Sequence, residues 1–166
     1  KMMVEVETIL ATDINDDMAR RENVSALFDR YFDLPTIAKF SAGPYWRTAD
    51  ADQKIAYKSA IRDVIIGTVV RNFDQLSGLK FTATQSQAKG TQLVLVNGTF
   101  IDTNGQLPSI MVGWRVVTAD NASPRILDVE IENISMLVTQ KQENIAIIRK
   151  NEGKFAALID AMRQRS

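Results

Sequence analysis

From Phe81 to Ile134 the sequence alternates apolar and polar residues in four short runs separated by turn signals, whereas the segments on either side repeat at helical spacing. That order of helices, then strands, then helices predicts an α+β fold. The runs are Phe81 to Thr84, Gln92 to Ile101, Ser109 to Val117 and Ile126 to Ile134. Asn104-Gly105 within DTNGQLP and the polar stretch TADNASP at 118–124 support antiparallel pairing. Pleating places Val94, Val96 and Phe100 on one face, in line with Ile110, Val112, Trp114 and Val116 and with Leu127, Val129 and Ile131. Asn97, Thr99, Arg115, Asp128, Glu130 and Glu132 fall on the other face, which is predicted to meet water.

The flanking helices supply a cover for the apolar face. Residues 3–31 are helix-compatible, with breaks expected around Thr12 to Asp16. Next comes FDLPTIAKFSAGPYWRTADADQK at 32–54. Asp33 with Pro35 starts a short helix through Phe40, Gly43-Pro44 breaks it, and Asp50 with Gln53 forms a capping pair for a long helix from about Ala51 to Leu76, closed by Ser77-Gly78. That long helix carries Ile55, Tyr57, Ile61, Val64, Ile65, Val69, Phe73 and Leu76 at helical spacing, and Ile66 and Val70 widen the stripe beyond what a surface helix needs. Two readings fit: a core helix packed on several sides, or one whose face partly lines a cavity. Trp46 and Trp114 divide the same way, between core aromatics and pocket walls. After Met136 the helical period returns in two segments separated by Gly153. The 166 residues, 45% of them hydrophobic, suit a single domain over 1–166: a curved antiparallel sheet of about four strands with N- and C-terminal helices packed on its apolar face.

Composition narrows the chemistry. Without histidine or cysteine there is no Ser-His-Asp triad, no zinc-thiolate site and no disulfide framework. Twenty basic and twenty acidic residues cancel, without the dense basic run that nucleic acid attracts. The longest apolar run, VIIGTVV at 64–70, falls short of the roughly 20 residues of a membrane-spanning helix. Phosphate loops, dinucleotide fingerprints and nucleophile elbows are missing. Asp128, Glu130 and Glu132 would project side by side, but from the polar face, which reads as solvated rather than as an acid/base pair.

Three stretches carry a resemblance to a known family: FDLPTIAKFSAGPYWRTADADQ, IDTNGQLPSIMVGWRV and LDVEIENISMLVTQKQENIAIIRKNEGKFAALI. Their order and spacing over residues 24–163 resemble the MlaC/Ttg2D family of periplasmic phospholipid-binding proteins, the toluene-tolerance family that includes hopanoid-associated members. Asn133 stands where that family commonly has glycine, Asn144 where an aromatic is usual, and Phe73 and Leu76 where tyrosines are frequent.

The resemblance implies a soluble, monomeric phospholipid carrier in the Gram-negative periplasm, any signal peptide having been removed ahead of Lys1. Its partners would be an outer-membrane lipoprotein complex and an inner-membrane ABC transporter with its substrate-channel subunit. Membrane contact would be transient at most, with no nucleic acid, cofactor, metal or catalytic residue. The lipid is expected between sheet and helices, against Phe40, Tyr45, Trp46, Ile61, Ile65, Val69, Phe73, Val94, Val96, Phe100, Ile110, Val112, Trp114, Val129 and Ile131. A hopanoid or other isoprenoid lipid is the alternative ligand. Other classes stay open: an enzyme on an apolar substrate using Tyr45 or Tyr57 with a buried carboxylate, and an interaction module with a filled core.

Overall fold

The computed structural model describes residues 2–11, 16–76, 78–118 and 123–166. The expected break at 12–15, Ser77 of the helix stop and 119–122 of the last turn lie outside the described residues. Two helices, α1 (Met2–Ala11) and α2 (Asp17–Tyr31), precede α3 (Leu34–Ser41), which Asp33 caps by accepting from Thr36 N. Gly43, at φ +60°, turns the chain into a 3-10 helix over Gly43–Arg47.

Helix α4 (Ala51–Arg71) opens on the expected capping box, with Gln53 N donating to Asp50 Oδ1 at 2.7 Å and Asp50 N to Gln53 Oε1 at 3.1 Å. It ends five residues sooner than the spacing suggests. Asn72 leaves the helical path while its amide donates to Thr68 O at 2.7 Å, a local competitor for the backbone, and Phe73–Leu76 form a separate short helix, α5.

Five strands follow as an antiparallel meander in sequence order: β1 (Leu79–Ala88), β2 (Leu93–Asp102), β3 (Ile110–Val117), β4 (Arg125–Ile131) and β5 (Ile134–Ser135). The fifth strand was not foreseen. Glu132 and Asn133 both take left-handed backbone, at φ 49° and 64°, so a two-residue hairpin folds the end of the predicted fourth run back on itself. Helices α6 (Met136–Lys150) and α7 (Phe155–Arg163) complete the chain.

The core lies to one side of the sheet. Helix α4 packs with α2, α3 and α7, and α6 joins α3, α7 and β4. The largest cluster of buried side chains comes from these helices, including Ala38, Tyr57, Ile61, Ile148, Leu158 and Met162. Tyr57 meets Phe155 edge to face, with ring centroids 5.4 Å apart. Sheet and helices join at β4, where Phe32 bridges Ile126, Asp33 N donates to Ile126 O at 2.9 Å, and Arg125 Nη1 donates to Asp29 O at 2.7 Å.

Two expectations for the polar face fail here. Asp128 is buried, its side chain only 2% exposed, because the start of α6 folds over it. Its carboxylate accepts from Ser135 Oγ at 2.6 Å and Leu137 N at 2.9 Å, fixing the first turn of α6. Glu132 sits in the hairpin and accepts from Met111 N at 2.7 Å rather than extending the strand. Glu130 pairs with Arg115, whose Nε donates to its Oε1 at 2.8 Å.

Candidate functional site

Between α4 and the inner face of the sheet the side chains do not meet. An apolar cavity of about 510 Å³ separates them. Ile61, Val64, Ile65, Val69 and Phe73 form the helical wall, in the phase the stripe predicts. Phe100, Trp114, Val129 and Ile131 form the sheet wall. Of the fifteen residues expected at the ligand, Ile61, Ile65, Val69, Phe73, Phe100, Trp114, Val129 and Ile131 therefore stand together around one space.

The other seven do not line it. Tyr45 and Trp46 pack against the helical core from the 3-10 helix, with Lys54 Nζ 5.6 Å from the centre of the Trp46 ring. Phe40 is 41% exposed under Lys141 Nζ at 4.6 Å. Both positions follow from α3 packing on α6 and α4 through Ile37, Ala38 and Ala42, which turns Phe40 outward. Val94, Val96, Ile110 and Val112 share the inward phase of the sheet but lie outside the cavity. Phe81 explains the limit on β2: its ring covers Gly98, where a Cβ would stand 2.3 Å from Phe81 Cζ, so Val94 and Val96 lie beyond it. Val112, opposite Gly98 on β3, is buried in the sheet's own packing.

Walls that sequence reasoning did not assign come from both ends of the chain. Val6 and Ile9 of α1, Val24, Leu27 and Phe28 of α2, and Met136 and Leu137 of α6 all line the cavity. The spacing of Val24, Leu27, Phe28 and Tyr31 carried a helical signal for α2, but nothing in it distinguishes a neighbour of empty space from a neighbour of another helix. Glu5 anchors α1 by accepting from Arg30 Nη1 at 2.8 Å and Tyr31 Oη at 2.7 Å, and this contact pushes the Tyr31 hydroxyl pKa up.

Thr68, Asp128 and Gln140 of the lining are already engaged. Thr68 Oγ1 donates to Val64 O at 2.7 Å. Asp128 holds α6, as described. Gln140 Nε2 donates to Asn144 Oδ1 at 2.9 Å and so starts a chain of hydrogen bonds through the helical core: Asn144 Nδ2 to Tyr57 Oη at 2.8 Å, Tyr57 to Ser41 Oγ at 2.8 Å, and Ser41 Oγ to Ile37 O at 2.7 Å. Burial pushes the Tyr57 hydroxyl up to about 12, against the opposing pull of Ser41 and Asn144. A tyrosine so placed is a poor proton-transfer group near neutral pH, and its hydroxyl faces the helical core. The Trp114 N–H is buried without an acceptor among the described residues, and the rings of Phe81 and Phe100 stand edge to face with it at 6.1 and 6.4 Å. Among the described residues no group of three or more acidic side chains is placed to hold a metal ion, and no helix is long and apolar enough to cross a membrane.

Comparison with known proteins gives one family and one well-covered fold. The family model described as MlaC protein matches residues 2–164. No curated protein sequence matches the chain. Among solved structures, the phospholipid-binding protein from Ralstonia solanacearum, in complex with a phospholipid, shares the fold at a TM-score of 0.79 and 19% identity, over 98% of this chain and 92% of that one.

Proposed function

Since the chain belongs to the MlaC family, we propose that it is a phospholipid carrier that shields acyl chains in the cavity between α4 and the sheet. The observation that carries this reading is a space of about 510 Å³ walled almost wholly by hydrocarbon side chains. A space of that size is many times what a single water occupies and has room for hydrocarbon. Each methylene that leaves water for it gains about 0.8 kcal/mol gross. A chain already in a bilayer enjoys the same gain, so carriage between membranes is close to an exchange between equivalents, and direction comes from the partners. The phospholipid held by the Ralstonia solanacearum relative supports the choice of ligand.

In this reading the lipid moves in the periplasm between an outer-membrane lipoprotein complex and an inner-membrane ABC transporter with its substrate-channel subunit, and the protein performs no catalysis. The net charge of zero suits a shuttle that must leave anionic membranes as readily as it meets them. Native mass spectrometry of protein purified without denaturant tests the ligand class. Phospholipid masses on the folded chain are expected; an empty protein that also refuses labelled phospholipid from vesicles refutes the proposal, and an extracted hopanoid replaces the ligand.

A further inference from the structure

Gly67 lies inside α4 in ordinary helical backbone, where glycine weakens a helix relative to alanine. The three nearest heavy atoms that a Cβ would meet all belong to guanidinium groups: Arg71 Nη1 at 3.1 Å, Arg21 Nη1 at 3.7 Å and Arg71 Cζ at 3.7 Å. Two cations, one from α4 and one from α2, thus converge on a bare patch of helix. Arg21 is matched by Asp63 at 3.4 Å. Nearby, Arg20 stands 4.9 Å from the centre of the Phe73 ring and is matched by Asp74 at 3.5 Å and Asp17 at 3.7 Å. Arg71 differs from both: among the described residues it forms no ion pair, and Nη2 donates to Thr68 Oγ1 at 3.3 Å. Thr68 is exposed and lines the cavity, which puts the unmatched guanidinium at the rim.

We propose that Arg71, with Arg21 beside it over Gly67, forms a binding site for a phosphate or phosphodiester group at the rim of the cavity. The site deepens the carrier reading and rests on it for the lipid as the source of the phosphate. A guanidinium offers paired N–H donors that match two oxygens of one phosphate, and an anion between two close cations relieves their repulsion. Acyl chains against Val69 and Phe73 would leave a head group within reach of this rim.

The test compares wild type with Arg71→Gln, an exposed substitution that leaves the fold intact. Both are incubated with phosphatidylcholine vesicles carrying labelled phosphatidylcholine or, separately, labelled diacylglycerol with the same chains. Arg71→Gln is expected to lower phosphatidylcholine retention roughly tenfold relative to diacylglycerol retention. A purely structural role for Arg71 would not divide the two lipids. Titration with inorganic phosphate, followed by phosphorus NMR, separates the sources. Saturable binding that Arg71→Gln abolishes, with phosphatidylcholine retention unchanged, assigns the site to free phosphate. Indifference of both measurements to Arg71→Gln overturns the site. A wild type that takes up neither lipid refutes the carrier reading instead, and the phosphate titration then judges Arg71 alone.

Discussion

Ile65→Asp places a carboxylate on the α4 wall of the cavity, half-buried among mostly apolar side chains. Thr68 is bonded to Val64 O, Asp128 to Ser135 and Leu137 N, and Gln140 to Asn144, and the unpaired Trp114 N–H belongs to the opposite, sheet wall. With no lipid bound the new carboxylate can draw water to itself, and the fold loses about 1 kcal/mol of apolar burial. An acyl chain changes that balance by stripping away the water. Desolvating an unpaired carboxylate costs several kcal/mol even after relaxation, and with about 3 kcal/mol as the working figure, phospholipid affinity falls about 150-fold at neutral pH. Transfer of labelled phospholipid from vesicles reads the affinity, and thermal melting of lipid-free protein reads the fold. Phe40→Asp, at an exposed position away from the cavity, is expected to load as wild type. A folded Ile65→Asp protein that also loads as wild type would refute the placement of the ligand.

Three further substitutions probe what frames the cavity. Gly98→Ala puts a Cβ 2.3 Å from Phe81 Cζ and 2.5 Å from Thr82 O, so overpacking is expected to cost about 1–3 kcal/mol in urea unfolding, and an unchanged midpoint would contradict the close approach of ring and strand. Tyr57→Phe removes the hydroxyl between Ser41 and Asn144 and should cost about 1–3 kcal/mol, a fall in Tm of about 2–10 °C; a shift below ~1 °C would deny the network its stabilising part. The third concerns acid. Hydrogen bonds from Arg62 hold the Asp29 carboxyl below its ordinary 3.8, so the stability this contributes is present above the unfolded pKa and is lost as pH falls through the lower folded value. Asp29→Asn should flatten the corresponding decline in urea midpoint below about pH 4, and an equal decline in both proteins would exclude this pair as a source.

Local rules recovered much of this architecture because they act over three or four residues. Asp33 and Asp50 cap the helices that their positions predict, and the even positions of β2 and β3 face inward together. Failures came where distant elements decide. Asp128 reads as a solvated strand residue until α6 folds over it, and Glu132-Asn133 makes a tight hairpin without the glycine that usually marks one. The site is harder still. Phe40, Trp46, Ile65 and Val69 are all apolar residues in helical segments, yet only the last two face the cavity. Periodicity shows which face turns from water but not whether a side chain or a void lies opposite. Val94 and Val96 illustrate the same limit on the sheet, since one aromatic ring over Gly98 removes them from the wall.

The tight cluster joining α3, α4, α6 and α7 sits beside the hollow rather than around it. Ile37, Ile61, Val64 and Leu137 belong to both, while Ala38, Tyr57, Ile148, Leu158 and Met162 belong to the cluster alone. Substitutions confined to the walls that α1, α2 and the sheet supply would reshape the chamber while leaving that cluster in place, so a lineage built on this plan has room to change what it carries without first inventing a new scaffold.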